Sequence, residues 1–392
     1  MSGKDGRNNH SVGCSPLCGG WRWVIPAGVC RPAYWLIVSA LLLLVAIPPD
    51  ALAAENGGSK TGPDTHWIKI ADKFFQQIGA NDITTVYLRN CQGLIVTPTG
   101  ELVMQTATKG ICVSTDQGAS WSVVEDNNIE GRSEMGFDDF SLAYPYDGRM
   151  AIFCYDGDGS LSGGISLDGA KTWRAFAQIL RGVENADIDW QAHDPQTIFG
   201  VTHEPYLTVL SVNGGRSWQR LHKTTEASIQ ANFPYRPGVI KGQTLTRYNA
   251  QQGGIELSSD AGRSWTLVTK DYKVTGGHPV HYGKKIYWTT TKGVIVTTDG
   301  KKWTLTGAGA EDASYGPYFG ASEKEFVVVT SSAFLKTEDG GKTWRKLADF
   351  FAAPDVFHHW IGTSFFGWDA THHLLYSSGL GASVYQLDVS GR

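Results

Sequence analysis

The sequence predicts an all-β protein, a seven-bladed β-propeller of four-stranded antiparallel blades, on three observations. One turn-like phrase is written six times along 392 residues. Its copies recur at intervals that fit a four-stranded unit. Apolar, strand-like residues flank every copy, and a composition with 47 Gly and 14 Trp suits turn-rich β structure better than helix.

The phrase is a hydroxyl residue, Asp two positions on, Gly four on, a second hydroxyl six on and Trp seven on. The fullest copy is Thr337-Glu338-Asp339-Gly340-Gly341-Lys342-Thr343-Trp344, and residues 114–121 and 258–265 repeat it around Asp116 and Asp260. A fourth copy has Asp168 and Trp173 with Ala170 in the Gly slot, and a fifth has Asn213 for Asp before Trp218. The sixth, around Asp299 and Trp303, is one residue short. Asp or Asn at the start of a tight turn accepts hydrogen bonds from backbone N–H groups two residues on. Gly supplies a positive φ without steric cost. Trp is a large apolar plate that needs burial and a partner for its indole N–H. Each copy is therefore expected to be a hairpin turn, and its role is structural.

The Trp residues fall at 121, 173, 218, 265, 303 and 344, in steps of 52, 45, 47, 38 and 41. Trp67 lies 54 residues before Trp121, in His66-Trp67-Ile68-Lys69-Ile70, which reads like the strand after a turn that is missing. Ser383-Val384-Tyr385-Gln386-Leu387-Asp388-Val389 reads as a third strand with no fourth behind it. The ring is thus expected to close with the N-terminal strand completing the last blade. Closure hides interfaces that an open array would expose. In the fifth repeat the strands are expected at 278–282, 285–290 and 293–297, and in the third at 186–191, 197–203 and 207–211. The face opposite the repeated turns then carries the entries to the inner strands and the loops between second and third strands.

Residues 1–53 are of another kind. Lys4, Arg7, Arg22 and Arg31 precede an uncharged stretch, residues 32–49, and Ala51-Leu52-Ala53 offers a small-x-small cleavage site. This reads as a signal peptide, followed by a linker at 54–64 and the propeller at 65–392. Its strongly apolar part is short for a spanning helix, which needs about 20 residues. The expected location is secreted or periplasmic without stable membrane insertion, an uncleaved signal anchor being the alternative. The net charge of −4, with no basic run, excludes a general nucleic-acid binder. Cys91, Cys112 and Cys154 remain after cleavage, enough for one disulfide at most and without zinc spacing. No metal and no cofactor are expected.

The phrase resembles the Asp-box, or BNR repeat, of the sialidase superfamily. The resemblance implies that the boxes join the third and fourth strands of each blade, on the face away from the functional site. Tyr87-Leu88-Arg89-Asn90-Cys91 is similar to the family's (Phe/Tyr)-Arg-Ile-Pro signature, with Asn90 and Cys91 in place of Ile-Pro. Arg89 would match the Arg that grips a substrate carboxylate, and Arg247 resembles a second. Guanidinium forks suit carboxylates because they bind both oxygens. The interval 104–111 lacks the family's Arg and acid/base Asp, and its Tyr–Glu nucleophile pair has no counterpart, so an active sialidase is not expected. Box-containing propellers of the photosystem II assembly factor group, whose role is protein binding, are also similar.

Position supplies the other candidates. His278, Tyr315 and His358 enter the inner strands of neighbouring blades, with His281, Tyr318 and Trp360 close to them in sequence. His203 belongs to the third blade, with Asp187 and Asp189. His278, His281 and Tyr315 are the candidate catalytic groups, because a His or Tyr beside a carboxylate-binding Arg can move the proton that β-elimination of a uronic acid polymer requires. Arg89, Arg247, Tyr248, His203, Tyr318, His358 and Trp360 are the candidate substrate-binding residues, the aromatics by stacking on sugar rings. Two functions are in view: a carbohydrate-binding or carbohydrate-cleaving propeller acting on an acidic glycan as hydrolase or lyase, and a non-enzymatic scaffold whose partner is a protein.

Overall fold

The computed structural model describes residues 66–79, 91–106, 109–124, 142–153, 163–179, 182–202, 207–223, 237–354, 364–379 and 381–391. Residues 1–53 and 54–64, expected to be leader and linker, lie outside the described residues.

The chain opens with β1 (Ile68–Lys69) and a short helix, α1 (Asp72–Gln77). Blade 1 comprises β2 (Cys91–Val96), β3 (Leu102–Thr106), β4 (Gly110–Ser114) and β5 (Ser122–Val123). Blade 2 comprises β6 (Leu142–Ala143), β7 (Met150–Phe153), β8 (Gly163–Ser166) and β9 (Arg174–Ala175). Blade 3 comprises β10 (Glu184–Ile188), β11 (Ile198–Val201), β12 (Leu207–Ser211) and β13 (Gln219–Lys223). Blade 4 comprises β14 (Gly238–Lys241), β15 (Thr244–Asn249), β16 (Gly254–Ser258) and β17 (Thr266–Thr269). Blade 5 comprises β18 (Val280–Tyr282), β19 (Lys285–Thr290), β20 (Gly293–Thr297) and β21 (Thr304–Gly307). Blade 6 comprises β22 (Tyr315–Phe319), β23 (Phe326–Val329), β24 (Ala333–Thr337) and β25 (Arg345–Asp349). Blade 7 takes β26 (Ser364–Asp369), β27 (Leu374–Gly379) and β28 (Tyr385–Asp388) from the C-terminal end and β1 from the N-terminal end.

The fold is the expected seven-bladed propeller with four antiparallel strands per blade. Ile68 faces Gln386 and Lys69 faces Tyr385, so β1 is the outer strand that closes the ring. Helix α1 was not anticipated, since six residues are too few to display a helical period. Its Phe74 and Phe75 are buried in the interface between blades 7 and 1, where Phe74 stacks on Trp121 with centroids 5.8 Å apart.

Successive strand residues point to opposite faces of a sheet, so each blade serves two interfaces. Leu102 and Met104 of β3 pack toward blade 7, and Val103 between them packs toward blade 2. Strands buried on both faces therefore read as apolar runs, as Leu102-Val103-Met104 of β3 does, and all five residues of that strand are buried. Each box Trp packs in the interface with the preceding blade, for example Trp173 against Ile95 and Val103, and Trp303 against Ile240 and Tyr248. The interface of blades 6 and 7 has no box, and Trp67 fills the place, stacked on Phe351 at 4.7 Å.

All six boxes join third and fourth strands. In the full copies the Asp reaches further than expected. Asp116 Oδ1 accepts the Ser120 N–H at 2.8 Å, four residues on, and Asp339 Oδ1 accepts that of Thr343 at 2.9 Å. The bond two residues on occurs only in the short copy, from Lys301 N to Asp299 at 2.8 Å. Two successive left-handed residues lengthen the full turns: Gln117 and Gly118 at φ 56° and 90°, Gly340 and Gly341 at 78° and 88°. Asn213 reproduces the net with one bond reversed, its Nδ2 donating to Ser217 Oγ at 2.8 Å. Cys91 and Cys112 are buried, and burial pushes the Cys112 thiol up to about 12. Cys154 lies outside the described residues.

Candidate functional site

Inner strands run from the open face toward the box face, so the last residues of β18 and β22 meet near the boxes. There the axis is stoppered. Tyr146, in the turn between β6 and β7, crosses from blade 2 to the opposite side of the ring. Its ring meets Phe319 edge-on at 5.2 Å, lies 6.4 Å from Tyr282 and donates its hydroxyl to the Pro317 carbonyl at 3.4 Å. Tyr144 packs behind it at 4.5 Å. Tyr146 holds φ at 60°, a left-handed conformation that costs an aromatic residue energy and that its contacts across the axis sustain.

Behind the stopper is a cavity of about 60 Å3. Its polar wall comes from blades 3 and 5, and the other walls come from Tyr144, Tyr146, Tyr318, Phe366 and Trp368. His278 and Pro279, which precede β18, line it toward the other end. The polar wall is built around Asp187, whose side chain is 99% buried. Asp187 Oδ2 accepts from His281 Nε2 at 2.7 Å and from the Val239 N–H at 2.7 Å, joining blades 3, 4 and 5. A carboxylate only accepts, so His281 carries its proton on Nε2. Asp187 Oδ1 has no hydrogen-bond partner among the described residues, and neither has the buried hydroxyl of Tyr144. Burial, aided by Tyr146, Asp147 and Glu101, holds the Tyr144 phenol well above its usual range, so it stays neutral. Asp189 takes a parallel role nearer the boxes, accepting the Gly242 N–H at 2.7 Å.

The structure thus gathers His278, His281 and Tyr318, with Asp187, around one cavity. Tyr315 is not among its lining residues. It is half-buried between blades 6 and 7, edge-on to Phe366 at 4.9 Å. Arg247 stands apart in blade 4, where Nε donates to Glu256 Oε2 at 2.7 Å and the guanidinium lies 4.1 Å over the Trp265 ring. Both of its recognition modes are occupied within its own blade. Tyr248 is 97% buried among Ile255, Trp288 and Trp303, which leaves no ring face for a sugar. Arg89, His203, His358 and Trp360 lie outside the described residues. Among the described residues no cluster of three His, Cys, Asp or Glu side chains is arranged to hold a metal. Sequence reasoning missed Tyr144 and Tyr146. Their one signal is Tyr144-Pro145-Tyr146 in the inner turn of a blade, where an aromatic can reach the axis.

No protein-family model matches the chain, and no curated protein matches it. Solved structures do. YCF48 from Cyanidioschyzon merolae is 13% identical over 76% of this chain and 94% of its own, with a TM-score of 0.41. Virginiamycin B lyase from Staphylococcus aureus is 8% identical over 83% of this chain and 98% of its own, with a TM-score of 0.46. An ancestral GH74 enzyme is 15% identical over 77% of this chain, which spans 48% of that enzyme, with a TM-score of 0.42. These likenesses concern the fold alone.

Proposed function

We propose that this chain is an exported binding propeller that holds the head group of a larger ligand in its blind central pocket. The rest of the ligand lies on the face opposite the boxes. The Tyr146 stopper carries the reading, because it reaches across the axis and closes the channel at the box end among the described residues. A cavity of about 60 Å3 takes a head group and not a whole sugar ring. Hydrolysis of a glycan ordinarily needs two carboxyl groups about 5–9.5 Å apart. Asp187 is the one carboxylate lining the cavity among the described residues, and it is already committed to His281 and Val239. The six boxes support kinship with the Asp-box propellers, and the leader supports export. The test is a screen of the secreted protein and its His278→Trp variant, which fills the mouth, on glycan and peptide arrays. The reading expects a ligand that the variant loses. A ligand held equally by both proteins overturns it.

One observation favours a second reading, β-elimination on an acidic glycan. A buried carboxylate fixing the tautomer of His281 is the arrangement that orients a general base. Incubation with acidic polysaccharides then yields unsaturated uronates, read by ultraviolet absorbance, and His281→Gln abolishes them. No absorbance across the panel removes this reading.

A further inference from the structure

We propose that the central pocket selects a cationic head group, an alkylammonium presented by the ligand; this rests on the blind-pocket reading. Two buried polar atoms without partners among the described residues belong to residues that line one cavity: Asp187 Oδ1 and the Tyr144 hydroxyl oxygen. A buried carboxylate oxygen left without a donor is costly, so the site favours an occupant that donates and carries positive charge. No Lys or Arg lines the cavity among the described residues. An anionic group entering here would meet the Asp187 carboxylate with no Lys or Arg among the described lining residues to offset it.

The remaining walls narrow the class of cation. Tyr144, Tyr146 and Tyr318 present aromatic surface, which attracts ammonium groups through the ring quadrupole. Hard metal ions require about six oxygen ligands, and the walls offer one carboxylate oxygen and phenols. At about 60 Å3 the cavity holds a few waters or one primary ammonium with its first methylene groups. An ammonium has three donors, and two of the residues that line the cavity, Asp187 and Tyr144, each keep an acceptor oxygen without a partner among the described residues. The alkyl stem leaves past His278 and Pro279, on the side away from the Tyr146 stopper.

The test uses the full-length chain expressed with its own leader and n-butylammonium chloride as probe. n-Butanol is the neutral isostere, and sodium chloride matches the ionic strength. The readout is the imidazole resonance of His281 in histidine-labelled protein, assigned by its loss in His281→Gln. Butylammonium is expected to shift the resonance saturably, and butanol and sodium chloride are not. Asp187→Asn keeps an acceptor for Val239 and His281 but removes the charge, and is expected to weaken butylammonium on the order of tenfold or more. Should that variant not fold, the comparison of butylammonium with butanol on the unaltered protein decides. Equal shifts with both probes overturn charge selection and leave the blind pocket standing. No shift with either probe means the cavity holds water only and overturns both. Undiminished affinity in folded Asp187→Asn also overturns the inference.

Discussion

The adjacent glycines of the last box offer a sharp test of how blades are joined. Both are left-handed, at φ 78° and 88°, but their surroundings differ. A Cβ on Gly340 finds only Lys324 Cγ, at 3.9 Å. A Cβ on Gly341 meets Gly307 Cα at 2.3 Å and the Thr306 carbonyl oxygen at 2.7 Å, both backbone atoms of the outer strand of blade 5. Gly340→Ala therefore costs only the left-handed penalty, about 1–2 kcal/mol. Gly341→Ala adds an overpacking cost of about 1–3 kcal/mol, for roughly 2–5 kcal/mol in all. The compact unit spans Asp64–Arg392, so its unfolding entropy is about 0.7 kcal/mol per kelvin at the usual value per residue. The melting temperature should fall by about 1–3 °C for Gly340→Ala and about 3–7 °C for Gly341→Ala. Ala170, in the Gly341 slot of blade 2, holds φ at 64° while buried against blade 1, so the slot tolerates a methyl where the preceding blade leaves room. Calorimetry on the two variants decides the matter. Equal losses, or a loss at Gly341 no larger than at Gly340, would falsify the claim that each box seats against the blade before it.

Four further outcomes are expected. Arg247→Ala strands the buried carboxylate of Glu256 and should cost about 3–5 kcal/mol in urea unfolding while leaving array binding unchanged, and lost binding at intact stability returns Arg247 to the site. Trp67→Ala, at a partly buried ring, should cost about 2–4 kcal/mol and speed proteolysis near the ring closure, which limited digestion reads. Hydrogen bonds from Ser264, and from the Thr343 backbone and hydroxyl, hold Asp260 and Asp339 down to about 2, below the ordinary 3.8. A lowered carboxylate contributes stability above its unfolded value and loses it as pH falls through the folded one, so the loss runs between about pH 4 and pH 2. The double variant Asp260→Asn/Asp339→Asn should flatten that limb of the acid-unfolding curve, and an unchanged limb refutes the assignment. Finally, terminal sequencing of the exported protein should begin at Ala54; a chain starting nearer Met1 means the leader is kept as an anchor.

The ring was legible because its determinants repeat. A Trp and a left-handed turn recur in six of the seven blades, and sheets buried on both faces write continuous apolar runs such as Ile286-Tyr287-Trp288. Ring closure was legible because the N-terminal end supplies the single outer strand that the C-terminal end lacks. The pocket was legible only in part. His281 and Asp187 are 94 residues apart, in blades separated by a third, and share a site because inner strands converge on the axis, which places a residue near the axis but does not choose its partner. Tyr146 and Pro317 meet across the axis from 171 residues apart, and no periodicity marks such a pair. Arg247 differs in kind. Its neutraliser, Glu256, faces it across the β15–β16 hairpin, so the register of that hairpin announces the ion pair, and a charge read alone as a ligand grip reads differently beside its opposite number. In a propeller, then, polar residues on second strands are first to be sought in cross-strand pairs. Residues one strand inward, where partners run out, are where function is to be sought, and Asp187 with its unfilled oxygen is such a residue.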